Sequence, residues 1–304
     1  MNASAELLER IGYSEDGDRV TGTSSQGMYR WLSEPRWYLW EGGFFLIARA
    51  DGVVPTHAHH AIQIVVALDG EVAIRGKEEE WSRGPAFIVR PDAAHSFNCS
   101  GSLGAMLFVD PESAEGIWLG NSLKRDITIV SGRRLASSVQ ELRKFIEQPF
   151  ESMEIGELIL HCVQALSPGA PPARRLDPRV TAVLNAIRER DDFHVSLASA
   201  AATAFLSPSR FAHLFKEQVG LPFSRYMLWR KLSRAMVAIA TERTISAAAQ
   251  VADFADAAHL TRTFYQMVGM MPSVLMRGEF AELRSPFDVH AERPAAQSPH
   301  APAQ

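Results

Sequence analysis

Residues 197–220 and 245–269 repeat one pattern, and an internal repeat constrains the fold of a chain more than any other sequence feature. The first copy opens Leu197-Ala-Ser-Ala-Ala-Ala-Thr and continues through Ser207-Pro-Ser-Arg-Phe-Ala-His-Leu-Phe215 to Gly220. The second opens Ile245-Ser-Ala-Ala-Ala-Gln-Val and continues through Asp256-Ala-Ala-His-Leu-Thr-Arg-Thr-Phe264 to Gly269. Each predicts a short Ala-rich helix, a tight turn, a Ser or Asp at an N-cap, and a second helix stopped by glycine. That order is a helix-turn-helix, and two copies predict an all-α C-terminal domain.

The residue types fit the packing that such a unit needs. Ala201 and Ala249 fall where the two helices must approach closely. Ser207 and Asp256 can accept hydrogen bonds from the open N–H groups of the following helix. Phe211 and Phe215, matched by Leu260 and Phe264, are four apart and share one buried face. The opposite face carries Ser209, Arg210 and His213 in the first copy and Ala258, His259, Thr261 and Arg262 in the second. Those side chains, with Ser207, suit base edges and phosphates, so double-stranded DNA is the expected partner. Lys216, Arg230 and Lys231 are further candidates for phosphate contact.

The stretch Asp253-Phe-Ala-Asp-Ala-Ala-His-Leu-Thr-Arg-Thr-Phe-Tyr-Gln-Met-Val-Gly-Met-Met-Pro272 resembles the signature of AraC/XylS-type transcription regulators. The resemblance extends from Val180 to Met276. It implies two helix-turn-helix units bridged by one long helix, here Phe223 to Thr241, that holds both recognition helices for successive major grooves about 34 Å apart. The chain departs from the signature at Asp253, where glycine is usual, and at Leu275-Met276, where an aromatic-Arg pair is usual.

Charge is divided in the same sense. The whole chain is net −4, but residues 1–173 sum to −8 and residues 174–284 to +5, so basic charge gathers where phosphates would be met. No run of 18 apolar residues predicts a membrane span, and the N-terminus lacks the basic start and apolar core of a signal peptide. A cytoplasmic location is expected, with Cys99 and Cys162 as buried free thiols.

The N-terminal half has another texture. Short strand-like runs at Phe44–Ala48, Ile62–Ala67, Glu71–Arg75, Ala86–Arg90 and Gly104–Val109 alternate with turn signals, including Asp69-Gly70, and predict a small barrel or sandwich. Residues 134–166 turn helical, with Leu135, Val139, Leu142 and Ile146, then Ile155, Leu158, Ile159, Cys162 and Leu166, at helical spacing. Trp31, Trp37, Trp40, Phe44 and Phe45 form an aromatic group that would line a pocket or pack the core.

Gly52-Val-Val-Pro-Thr-His57-Ala-His59-His60-Ala-Ile-Gln63 resembles the first cupin motif, and Pro91-Asp-Ala-Ala-His95-Ser-Phe-Asn98 resembles a compressed second one. Gln63 stands where cupins carry Glu, and the spacing before His57 is one residue short. On a strand His57, His59 and Gln63 share parity, with His60 facing out. With His95 they would either hold a divalent transition metal (Zn, Fe, Mn or Ni) or line an effector pocket.

The expected fold is therefore α+β. A cupin-like barrel at 1–133 and a helical dimerisation segment at 134–166 lead through a linker at 167–178 to a DNA-binding domain at 179–284, with a disordered tail at 285–304. The expected function is that of a non-enzymatic, homodimeric transcription regulator controlled by a small-molecule or metal effector in the barrel. The alternative is a metal-dependent cupin dioxygenase or isomerase carrying a DNA-binding appendage.

Overall fold

The computed structural model describes residues 30–33, 35–40, 42–99, 101–120, 123–147, 152–167, 176–189, 194–276 and 279–282. Alternating apolar residues in the N-terminal half build two facing sheets. The strands are β1 (Arg30–Trp31), β2 (Arg36–Trp40), β3 (Gly43–Asp51), β4 (Val53–His57), β5 (Ile62–Ala67) and β6 (Val72–Gly76). They continue with β7 (Ser82–Gly84), β8 (Ala86–Val89), β9 (His95–Asn98), β10 (Leu103–Val109), β11 (Ile127–Val130) and β12 (Glu279–Glu282). One sheet has eight strands in the order β11-β8-β5-β10-β3-β2-β12, with β1 also on β3; the other has four, β4-β9-β6-β7.

Among the described residues neither sheet closes on itself or on the other, which corrects the expected cupin-like barrel. Facing sheets and closed barrels both require inward-outward alternation, so strand patterning alone does not separate them. The last strand, β12, pairs in parallel with β2, so the C-terminal part of the chain supplies an edge of the N-terminal sheet.

Parity within the large sheet separates two cores. Phe44, Leu46, Val65, Phe87, Val89, Met106 and Phe108 face the small sheet's Val54, Val72, Ile74 and Phe97. Phe45, Ile47, Ile62, Ile64, Val66, Ile88 and Leu107 face the other way, onto helices. Those helices are α1 (Ala114–Gly120), α2 (Ala136–Glu147) and α3 (Ser152–Leu166), which contribute Leu119, Leu142, Leu158, Ile159, Cys162 and Val163. A strand covered on both faces reads as a continuous apolar run, and every residue of β5 is buried. Trp37, Trp40, Phe44 and Phe45 are all core residues. The described buried residues of α2 and α3, Leu142, Leu158, Ile159, Cys162 and Val163, thus pack on the chain's own sheet.

The C-terminal part is helical: α4 (Pro178–Arg188), α5 (Leu197–Thr203), α6 (Pro208–Val219), α7 (Phe223–Glu242), α8 (Ile245–Val251) and α9 (Ala257–Val268). Helices α5 and α6 form the first unit and share a core with α4 and the start of α7, around Phe211, Phe215, Phe223 and Tyr226. Helices α8 and α9 form the second. Its Ala248, Ala249, Leu260, Phe264, Met267 and Met270 join Trp229, Leu232 and Met236 of α7 in the core that lies between the sheets. The second unit is therefore packed on the N-terminal sheets, while the first stands on its own core. The expected tail at 285–304, and most of the expected linker, lie outside the described residues.

Candidate DNA interface and a buried histidine cluster

Both helix-turn-helix units are built by the same local chemistry. Ser207 Oγ accepts from the Arg210 N–H at 3.4 Å, and Asp256 Oδ1 accepts from the His259 N–H at 2.6 Å. Gly220 and Gly269 end the recognition helices with φ of +97° and +76°, the left-handed region that glycine enters without a Cβ penalty. Ala201 and Ala249 are each 1% exposed at the contact between helices. The first helices begin 48 residues apart but the second helices 49 apart, so the turn of the second unit is one residue longer.

The left-handed turn residues, Phe205 (φ +54°) and Asp253 (φ +57°), each lie two residues past the first helix, so the extra residue falls after them. Asp253 is held there by Lys231, whose Nζ donates to both its carboxylate and its carbonyl oxygen, and His194 lies 3.3 Å from the same carboxylate. Lys231, a candidate phosphate contact, is thus engaged in bracing the second turn. Arg230, another, lines a cleft of about 500 Å³ between the large sheet and α7, together with Asp110, Arg188 and Arg234.

The two recognition faces differ in exposure. In the first unit Ser207, Ser209, Arg210, His213 and Lys216 are all exposed, and the His213 Nδ1 lies 2.8 Å from the Ser209 carbonyl. In the second, Ala258 is exposed, but His259, Thr261 and Arg262 are half-buried. The His259 ring stands edge-on to Phe254 at 5.2 Å, and the Thr261 hydroxyl donates to the Ala257 carbonyl at 2.7 Å.

Between the sheets lies the histidine cluster. His57 and His95 are register partners on β4 and β9, Gln63 comes from β5 of the facing sheet, and His59 sits in the connection between β4 and β5. The four converge from two sheets, and His57, His59 and Gln63 do not share one strand as parity suggested. Ring centroids are 4.4 Å apart for His57 and His95, 5.2 Å for His59 and His95, and 5.6 Å for His57 and His59. One ligand nitrogen from each ring lies within 4.8 Å of the other two. His95 and Gln63 are fully buried, with His59 at 2% and His57 at 6% exposure.

The polar contacts of the rings follow one rule. Nδ1 of His57, His59 and His95 each lies 2.8–2.9 Å from a backbone carbonyl, of Pro55, Ala61 and Ala93 respectively. Burial lowers the pKa of all three rings and so favours their neutral form; neighbouring imidazoles add to this at His59 and at His57, which is pushed down to about 3. A neutral ring has one N–H; in His57 and His95 the carbonyls take it, so Nε2 carries the lone pair. Nε2 of His57 and of His95 has no hydrogen-bond partner, and that of His59 faces Gln63 Oε1 at 3.1 Å. Imidazoles pinned through Nδ1 to carbonyls, with Nε2 bare in His57 and His95, have the arrangement of metal ligands, and the three rings lie close enough together that they could hold an ion.

His60, expected on the outside, is 1% exposed and lies 2.9 Å from Glu112. Burial alone would lower its pKa, but the charge and hydrogen bond of Glu112 outweigh that and raise it. Beside this pair the Trp229 indole N–H donates to Asp110 Oδ1 at 2.8 Å, tying α7 to the N-terminal half. Sequence reading missed this junction because Glu112 and Asp110 lie 52 and 119 residues from their partners.

Comparison with known proteins follows the same division. A family model described as a helix-turn-helix domain matches residues 200–278. The chain is 24% identical over 239 residues to the probable transcriptional regulator LumQ of Photobacterium leiognathi, covering 75% of this chain and 94% of that protein. It is 32% identical over 88 residues to the arabinose operon regulatory protein of Salmonella typhimurium, covering 29% of this chain and 31% of that one. An apo ToxT structure from Vibrio cholerae strain SCE256 has a similar fold, with a TM-score of 0.53 at 11% identity over 76% of this chain and 96% of that one. No helix among the described residues is long and apolar enough to cross a membrane. Residues 200–278 thus match a helix-turn-helix domain, whereas the described residues of the N-terminal half form two open sheets and not a cupin barrel, so among them there is no barrel pocket for an effector.

Proposed function

We propose that this chain is a sequence-specific, DNA-binding transcription regulator of AraC/XylS type. One observation carries it: two capped helix-turn-helix units in tandem, joined by a single helix of 20 residues. At 1.5 Å per residue that helix is about 30 Å long, a span suited to successive major grooves about 34 Å apart. In this reading Ser207, Ser209, Arg210 and His213 serve the first groove and Ala258, His259, Thr261 and Arg262 the second, with Lys216 on a phosphate. Two copies bind together on paired half-sites.

The same reading gives His57, His59 and His95 a divalent transition metal, held through Nε2, with the Gln63 carbonyl oxygen as a further donor. Neutral imidazoles suit Zn, Fe or Ni better than Mg or Ca. Such an ion would cross-link the two sheets, a structural and not a catalytic role.

Selection of bound sequences from a random DNA pool tests the DNA reading. A shared motif in two adjacent blocks about one helical turn apart is expected. Enrichment of no motif, with binding that depends only on salt, would refute it.

A further inference from the structure

The end of the second recognition helix rests on the histidine cluster. A Cβ on Gly269 would stand 2.7 Å from His57 Nδ1, 2.9 Å from its Cε1 and 2.7 Å from Val54 Cγ1. Gly220, the matching cap of the first unit, would meet nothing within 4 Å. The left-handed cap alone therefore explains Gly220, whereas Gly269 also permits a close approach of helix backbone to an imidazole edge. Val268 and Met270 on either side are buried in the same core as Val54 and Phe97.

We propose that metal occupancy at His57, His59 and His95 is transmitted to the second helix-turn-helix unit through the contact of His57 with Gly269, making the regulator responsive to a divalent transition metal. This rests on the metal assignment above. The His57 ring is anchored at Nδ1 by the Pro55 carbonyl, while its Nε2 has no partner. A bond from Nε2 to a metal fixes the ring, and with it the surface on which Gly269 is seated. Without the ion Nε2 of His57 and of His95 has no partner, and only the Pro55 carbonyl and packing hold the seat. Metal therefore favours the docked second unit, and by linkage anything that favours docking tightens metal binding equally. The first unit, with its own core and an open Gly220, is outside this route.

The test uses the full chain, stripped with a chelator and titrated with Zn²⁺, or with Co²⁺ for its absorption spectrum. Amide hydrogen exchange is read at residues 265–270 and, as an internal control, at 216–221. At a hundred times Kd, Zn²⁺ should slow exchange at 265–270 by about a hundredfold and leave 216–221 nearly unchanged. Failure of either ion to bind the stripped protein, or unchanged binding by His59→Ala, overturns the metal assignment itself. Zn²⁺ binding that leaves exchange at 265–270 unaltered overturns the coupling while the metal site stands. Gly269→Ala keeps all three imidazoles, so it should still bind Zn²⁺ but lose the response at 265–270; a full response would refute the route through Gly269. The wild-type comparison decides the coupling whether or not that variant folds.

Discussion

Trp229→Phe isolates the polar tie between the long helix and the N-terminal half. Trp229 is 2% exposed, and its indole N–H reaches Asp110 Oδ1 at 2.8 Å inside the junction. Burial, and then the charge of Glu112, push the Asp110 carboxyl up to about 6, so it is largely ionised at pH 8. A hydrogen bond to a buried charge contributes about 1.5–3 kcal/mol, and phenylalanine keeps most of the aromatic packing while deleting the donor. The variant should therefore lose about 2 kcal/mol at pH 8 in urea unfolding, with an unchanged m-value. A raised carboxyl contributes stability in acid that is lost as pH rises through its folded pKa. Removing the indole donor raises that pKa further, so the loss should be smaller at pH 5.5, where Asp110 is already taking up its proton. A cycle with Asp110→Asn should show a coupling of about 1 kcal/mol or more. A loss below about 0.5 kcal/mol at pH 8, or one that does not change with pH, would show that the ionised tie does not hold the halves together.

Three other outcomes are expected. Phe205 is 94% exposed at φ +54°, so Phe205→Gly gives up little packing and relieves a left-handed backbone; thermal melting should show a gain of about 0.5–1 kcal/mol, and a loss would contradict the turn geometry. Burial pushes the Cys99 thiol up to about 12 and that of Cys162 to about 11, so at pH 8 roughly one Cys162 in a thousand is thiolate. Iodoacetamide should label neither cysteine in the native protein and both in urea, and rapid native labelling would refute the buried assignment. Arg262→Ala should relax preference at one base pair of the second half-site by about 1–3 kcal/mol in a binding-site selection; identical selected sequences would mean that Arg262 reads no base.

How much of this was legible in the sequence depended on the range of the interaction that decided it. Caps, turns and helical spacing are local, and the expected bridging helix of Phe223 to Thr241 is observed as Phe223–Glu242. The five expected strand runs each overlap a strand of the structure. Three of the strands not anticipated have local reasons: Pro55 sits inside β4, β7 is three residues long, and β2 reads as an aromatic cluster, Arg-Trp-Tyr-Leu-Trp. Resemblance to cupin motifs pointed to the histidines, but strand parity misplaced His59, which lies in a connection, and His60, which is buried against Glu112. Barrel closure was not legible, because it depends on which end strands pair.

One signal for the packing of the second unit was present and went unused. A helix that only bridges two readers needs a single apolar stripe, yet α7 buries Tyr226, Met227, Trp229, Leu232, Ala235, Met236, Ala238 and Ile239, positions that run around more than one side. Such a helix must be covered twice, and the second cover is the N-terminal sheet domain. The two repeats, alike in sequence grammar, are for this reason unequal in energy. Releasing the second unit from the sheets would expose part of a shared core that includes Trp229, Met236, Met270 and Val54, whereas the first can shift with its own core intact. At about 25 cal/mol per Å² of apolar surface, only a few hundred Å² need be exposed for that step to exceed several kcal/mol. The second unit is accordingly the one whose position a change between the sheets can govern, and Gly269 is where its recognition helix meets them.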